Sequence, residues 1–473
     1  MTTLTTNRTH THSKIMTNLP HYPTQRARFL AAVKRQNGAL TSYAHPLPGP
    51  QGEELFTDVA VIGDANASRL MLVISGTHGV EGYYGSDCQI AWLDTFNLTA
   101  LPADTAIVML HLLNPWGAAH LRRVNEDNID LNRHFIDFSQ PTPANPDYAA
   151  WHGIYHGDRA RADKLLADAL NSVGWPAIKR VVEAGQYGAA DGFFYGGQQP
   201  GWSYRTLQTI IADHLSQAKT IISFDLHTGA GAWGHPMLLS IAEQRFAAHD
   251  WGKEIYGEWL TLLFTGAGRD SETGVTATAT GYLSQFLLTS LPETQILPLV
   301  VECGTYPGEE MHRRVRDDHW LHLQGDPASE SGRAIKQELV EGFWPADADG
   351  ERRVIKVPAQ FLAVGRVVQI DRRKRIGIRI ERLFTQHIAQ EAFEQFIVVE
   401  LAQRRIGGNH IIGDAAFGAN DIAITRMIGA ESIIFFHQIN VMFAGGVIRQ
   451  MALRIAFGND GLQRSRLQEL TQN

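Results

Sequence analysis

The sequence predicts an α/β fold with a mixed, mostly parallel central sheet flanked by helices. Three observations predict it. Four short apolar runs, LMLVIS (70–75), AIVMLHLL (106–113), TIISFDL (220–226) and ILPLVVE (296–302), are continuous rather than alternating, as in strands buried on both faces. Helical patterns lie between them. Each run also ends at a polar group, and in open α/β sheets the ligand site sits at the carboxyl ends of the strands.

The elements follow in chain order. Residues 1–20 are polar and lack the apolar core of a signal peptide, so they read as a disordered leader in which Met16 is an alternative start. TQRARFLAAVKR (25–36) spaces Phe29, Leu30 and Val33 as a helix does. ARADKLLADALNSV (160–173) and SYRTLQTIIADHLSQA (203–218) continue the helical series. The catalytic-domain reading covers 21–345 and stops at FWPADADGERR. Residues 346–473 read as a C-terminal extension with strand-like runs AQFLAVGRVVQI, RIGIRIERLF, QFIVVEL and SIIFFHQINVMF and no evident site. From 351 onward there are 17 Lys and Arg against 11 Asp and Glu, while the whole chain of 473 residues has 42 against 49. The basic tail is thus a compositional break. Its RRKRIGIRIER stretch fits an amphipathic edge strand or a solvated face as well as a nucleic-acid contact.

A net charge of −7 points to no nucleic acid or membrane partner, and no stretch is apolar over the roughly 18 residues a span requires. Two cysteines, Cys88 and Cys303, make no disulfide framework, which suits a reducing cytoplasm.

The candidate chemistry begins at SGTHGVEGYYG (75–85). His78 and Glu81 stand three apart in a glycine-rich turn where both can face one ion, and His227, at the end of TIISFDL, can add a third ligand. Each group also has a plainer reading. H-x-x-E is compatible with a polar surface turn, and His227 with a hydrogen-bonded core histidine. The order of motifs narrows the choice. His78/Glu81, N-P-W-G (114–117), Arg122/Arg123, D-L-N-R (130–133), His227 and Glu302 stand in the order seen in the zinc carboxypeptidases. The sequence resembles that family. More closely, SGTHGVEG, RRVNEDNIDLNRHF, YGGQQPGWS, DLHTG and ECGTYP resemble its bacterial branch, domain of unknown function 2817.

The resemblance implies a three-layer α/β/α zinc-carboxypeptidase-like domain over 21–345, with one Zn2+ per chain held by His78, Glu81 and His227. Glu302 is the expected general base, which moves a proton from water to the leaving group. Arg123, with Arg122 as its alternative, is expected to stabilise the oxyanion. Asn132 and Arg133 are expected to hold a substrate carboxylate through arginine's planar fork. Asp130 is expected to accept a hydrogen bond from His78, and Asp225 is a weaker candidate for the same service at His227. The family's mobile tyrosine has its nearest match in Tyr282, with Tyr306 as a rival. Cys303 should face away from Glu302 and is given no chemistry. Trp202, Ser203 and His235 read as loop packing or cavity lining. The expected partner is a small molecule or peptide with a free carboxylate. The expected activity is cleavage of the adjoining peptide or amide bond. An N-acyl amino acid deacylase on the same fold and a non-catalytic zinc-binding protein are the alternatives.

Overall fold

The computed structural model describes residues 19–95, 97, 101–265, 279–346, 439–442 and 448–451. The chain divides into two units, residues 1–374 and 375–473. Nearly all of the expected leader, and the tail apart from two short strands, lie outside the described residues.

The first unit is built on eight strands. They are β1 (Ala39–Ala44), β2 (Phe56–Gly63), β3 (Arg69–Ser75), β4 (Thr105–His111), β5 (Thr220–Gly229), β6 (Pro236–Ala242), β7 (Leu260–Phe264) and β8 (Gln295–Gly304). They join in one sheet in the order β1-β2-β4-β3-β5-β8-β6-β7. The four strands read from apolar runs are contiguous in its middle, β4-β3-β5-β8, and mutually parallel. β1, β2 and β6 attach antiparallel, and β7 lies parallel to β6 at the far edge.

Helices cover both faces, because successive residues of a central strand point to opposite sides. From β3, Met71 and Val73 enter one apolar cluster with Phe29, Tyr83, Tyr84, Cys88, Leu339 and Phe343. These come from helices Tyr22–Arg35, Gly82–Thr95 and Glu330–Phe343. Leu70, Leu72 and Ile74 enter the other cluster with Leu207, Ile210, Phe286 and Leu287. Those come from helices Trp202–Ile210 and Leu283–Ser290. Leu72 and Ile74 are completely buried, which stabilises the fold by about 2 kcal/mol for each such side chain. The result is the expected three-layer α/β/α arrangement.

A smaller satellite cluster, including Tyr148, Ile154, Tyr155, Ile178, Val182 and Phe193, forms a side layer over residues 148–194. The helix expected over 203–218 ends its regular part at Ile210 and closes with one wide π turn, Ile211–Leu215. In the second unit, Ile439–Met442 pairs antiparallel with Ile448–Met451. The first of these falls inside the SIIFFHQINVMF run. No helix among the described residues is long and apolar enough to cross a membrane.

Candidate active site

The site forms at the carboxyl ends of β3, β5 and β8. His78 and Glu81 lie in the loop that leaves β3, directly before helix Gly82–Thr95. Two backbone constraints shape that loop. Gly76 has φ +70, and a Cβ there would come within 2.9 Å of Leu112 Cα. A Cβ on Gly79 would stand 2.1 Å from the Gly117 carbonyl carbon. Gly117 belongs to the N-P-W-G turn, in which Asn114 Oδ1 accepts from Gly117 N at 2.8 Å. The loop then borrows hydrogen-bond partners from the following segment: Gly79 N donates to Arg123 O and Val80 N to Arg122 O. Two motifs separated by more than thirty residues therefore form one packed unit.

His227 ends the apolar part of β5, in register with Glu302 of β8. Paired positions on parallel strands share a face, so both side chains enter the same cleft. Cys303 points to the opposite side, into the cluster around Tyr84, and both cysteines are buried and unpaired.

One ligand atom each from His78, Glu81 and His227 lies within 4.8 Å of the other two. His78 Nδ1 is 2.9 Å from Glu81 Oε1, and His227 Nδ1 is 3.0 Å from Glu81 Oε2. The opposite nitrogens are held by carboxylates: His78 Nε2 is 3.1 Å from Asp130 Oδ1, and His227 Nε2 is 2.7 Å from Asp225 Oδ2. The carboxylates behind the rings orient them so that both Nδ1 atoms face Glu81. All three side chains are buried. Burial pushes the Glu81 carboxyl up, but His78 and His227 reverse this and hold it below the usual carboxylate range. Two buried imidazoles and a buried carboxylate converging at one point match the donor set of a hydrolytic zinc site.

The other expected residues separate into two groups. Arg123 lies beside the trio, with Nη1 2.9 Å from Glu81 Oε1 and Nε 3.0 Å from Asp130 Oδ2. Asn132 follows Asp130 in a short 3-10 turn that Asp130 itself caps, and Asn132 Oδ1 accepts from Leu283 N at 3.1 Å. Arg133 uses three of its five N–H groups on the carbonyls of Glu183 and Asn132. One N–H on each terminal nitrogen is left over. Its guanidinium also lies 5.4 Å from the ring centroid of Tyr282. Arg123, Asn132, Arg133, Tyr282 and Glu302 all line one cavity of about 150 Å3 with His78, Glu81 and His227. Glu302 is half-buried and accepts from Ala230 N at 3.0 Å. Loss of water contact, together with the charge of Glu81, raises its pKa to about 7.

Arg122 does not reach this cavity. It is 2 % exposed, and its Nε lies 3.2 Å from Asp318, which also pairs with Lys336. Arg122, expected as the alternative to Arg123 at the oxyanion, is instead engaged with Asp318, while Arg123 pairs with Glu81 and Asp130 at the cavity. Tyr306 likewise lies outside, beneath the Arg314 guanidinium. Trp202 stacks edge-on against His45, Ser203 Oγ donates to Leu113 O, and neither lines the cavity; nor does His235.

The remaining wall was not foreseen. It includes Lys179, Glu183, Phe193, Phe194, Met311 and His312. The adjacent pair Phe193-Phe194, just before a glycine turn, was a visible signal. Phe194 adopts φ +50, an unusual backbone for an aromatic residue. The placing of Lys179 and Met311 had no local signature.

The sequence profile of the family described as "Protein of unknown function (DUF2817)" matches residues 19–357, well over half of the chain. The chain belongs to the DUF2817 family. No curated protein sequence matches it. Among solved structures, this DUF2817 chain is similar to carboxypeptidase A from Helicoverpa armigera, at 14% identity over 69% of this chain and 73% of that one, with a TM-score of 0.36. It is similar to a metallo-carboxypeptidase from Pseudomonas aeruginosa, at 12% identity over 67% and 66% of the two chains, with a TM-score of 0.32. A succinylglutamate desuccinylase from Silicibacter sp. TM1040 shows 12% identity over 65% and 66%, with a TM-score of 0.30. At these identities and scores the likenesses assign no activity to the DUF2817 chain.

Proposed function

We propose that this DUF2817 protein is a zinc-dependent hydrolase that cleaves a peptide or amide bond next to a free carboxylate. The observation that carries the reading is the geometry of the trio. The Nδ1 atoms of His78 and His227 converge on the Glu81 carboxylate, while Asp130 and Asp225 hold the two Nε2 atoms from behind. A Zn2+ held by these three residues supplies a Lewis acid for the scissile carbonyl and makes water nucleophilic near neutral pH.

The chain's own groups supply the rest. Glu302, on the strand next to His227, takes a proton from the attacking water and delivers it to the leaving nitrogen; a pKa near 7 suits both transfers. Arg123 presents a fixed positive charge at the same end of the cavity, where negative charge develops on the carbonyl oxygen. The two spare N–H groups of Arg133 meet the substrate carboxylate as a fork. Tyr282, stacked near Arg133, closes that side. The same parts serve a peptide C-terminus and an N-acyl amino acid.

The test is hydrolysis by the zinc-loaded full chain of two panels, C-terminally free peptides and N-acyl amino acids. Turnover of either panel by the wild type, lost in Glu302→Gln while one Zn2+ stays bound at this site, is the expected result. Stoichiometric zinc with no turnover of either panel would make the protein a binding module instead.

A further inference from the structure

A second cluster of metal-ligating side chains sits on the side layer, outside the candidate active site. His152 and His156 stand four positions apart where the helical turn Tyr148–Trp151 runs on into a 3-10 turn. Their rings stack, with centroids 5.1 Å apart and 20° between planes. Asp191 reaches them from the turn that precedes Phe193, and its Oδ2 lies 2.8 Å from His156 Nε2. One ligand atom from each of the three lies within 4.8 Å of the others.

A lone surface ion pair between His156 and Asp191 accounts for only part of this. It leaves a second imidazole parked against the first. His152 Nδ1 is buried and finds no hydrogen-bond partner among the described residues. His156 and Asp191 are 43 % and 50 % exposed, which lets a cation enter from solvent and retain water on its open positions. Two imidazoles and one carboxylate suit zinc, nickel or copper rather than the hard cations magnesium and calcium.

We propose that His152, His156 and Asp191 form a second divalent-cation site of the zinc class, which ties the turn 189–194 to the segment 148–156. The turn is already anchored from below. Phe193 N donates to Tyr148 Oη at 2.6 Å, and Asn128 Nδ2 donates to the carbonyls of Ala190 and Gly192. Asn128 stands two residues before Asp130. Phe193 and Phe194, which follow directly, line the catalytic cavity. A cation at this site therefore fixes an aromatic wall of the cleft from its outer side. The inference does not depend on the hydrolase reading.

The experiment uses Zn2+ alone as the probe and the full chain, stripped by chelator and then equilibrated with buffered micromolar free Zn2+. The wild type is expected to hold two ions per chain. His156→Ala and Asp191→Asn are each expected to weaken one of them more than about tenfold, since even partners of metal ligands are worth about that much. His78→Ala is expected to lose the other ion and keep this one, so the two sites fail separately. Both side chains on the outer site are half exposed, and unchanged circular dichroism would show that the variants fold. Equal zinc stoichiometry and affinity in wild type, His156→Ala and Asp191→Asn would overturn the proposal.

Discussion

Arg122 and Arg123 are chemically identical neighbours with different surroundings. Arg122 is sealed against Asp318 beneath the side layer, whereas Arg123 bridges Glu81 and Asp130 at the cavity. Removing one member of a buried ion pair leaves an uncompensated charge and costs about 3–5 kcal/mol. Arg122→Ala is therefore expected to lose stability of that order in urea titration, with Lys336 softening the loss by remaining on Asp318. Arg123→Ala is expected to reduce kcat/KM by about a hundredfold, the usual worth of one oxyanion donor, and to cost stability as well, because it leaves the buried carboxylates of Glu81 and Asp130 without that partner. If Arg122→Ala were the inactive, stable variant, the assignment of the two would be reversed. Glu302 is the second residue-scale prediction. Glu302→Gln should lower kcat by about 10²–10⁴-fold while zinc content at the trio, measured by mass spectrometry, stays at one. Loss of the ion in that variant would mean that Glu302 holds the metal rather than moves the proton.

At the scale of elements, the loop between β3 and its helix matters most. Its shape comes from contact of Gly79 with the N-P-W-G turn, backbone to backbone. Gly79→Ala would push these segments apart, a disturbance worth about 1–3 kcal/mol, and would swing His78 and Glu81 out of line with His227. The expected outcome is a lower Tm together with weaker zinc binding. Unchanged zinc affinity in a calorimetric titration would show that the loop does not set the ligand geometry. Elements also differ in how well they could be read. β3, β4, β5 and β8 are buried on both faces, so their apolar runs stand out. β1, β2, β6 and β7 gave no such signal. β1 is an exposed edge strand with residues such as Thr41 and Ser42, and β2 carries Asp58, a buried carboxylate held by Arg26 and Ser42. Those strands exist because the central four offer them an edge to pair with.

At the scale of the molecule, the fold buries neutral histidines that are not among the candidate metal ligands, one of them, His312, in the cavity wall. His111, His312 and His319 each have their pKa lowered to about 3, chiefly by burial. Asp58 partly opposes this at His111, while Arg316 and Lys179 reinforce it at His312; at His319, Arg122 reinforces it against Asp318 and the Asp191 backbone. In the unfolded chain they titrate near 6.5. The unfolded state therefore binds more protons between about pH 3 and 6.5, so this contribution is fully present above 6.5 and is lost as pH falls. Each histidine removes about 1.4 kcal/mol per pH unit in that window. Glu302 acts in the opposite sense, because its raised pKa favours the folded state as pH falls below 7. Urea titrations at pH 7.5 and 5.0 are expected to show a clear net loss at the lower pH; equal midpoints would contradict the burial of these rings as neutral groups. The sequence by itself determined the central strands, the glycine turn and the order of the candidate site residues, because these are properties of short segments and of their succession along the chain. Only the tertiary structure decided which arginine enters the cleft, which tyrosine lines it, and that Lys179, Phe193, Phe194 and His312 form its wall. Those outcomes depend on side-chain direction and on packing between segments more than a hundred residues apart, and no local pattern encodes either.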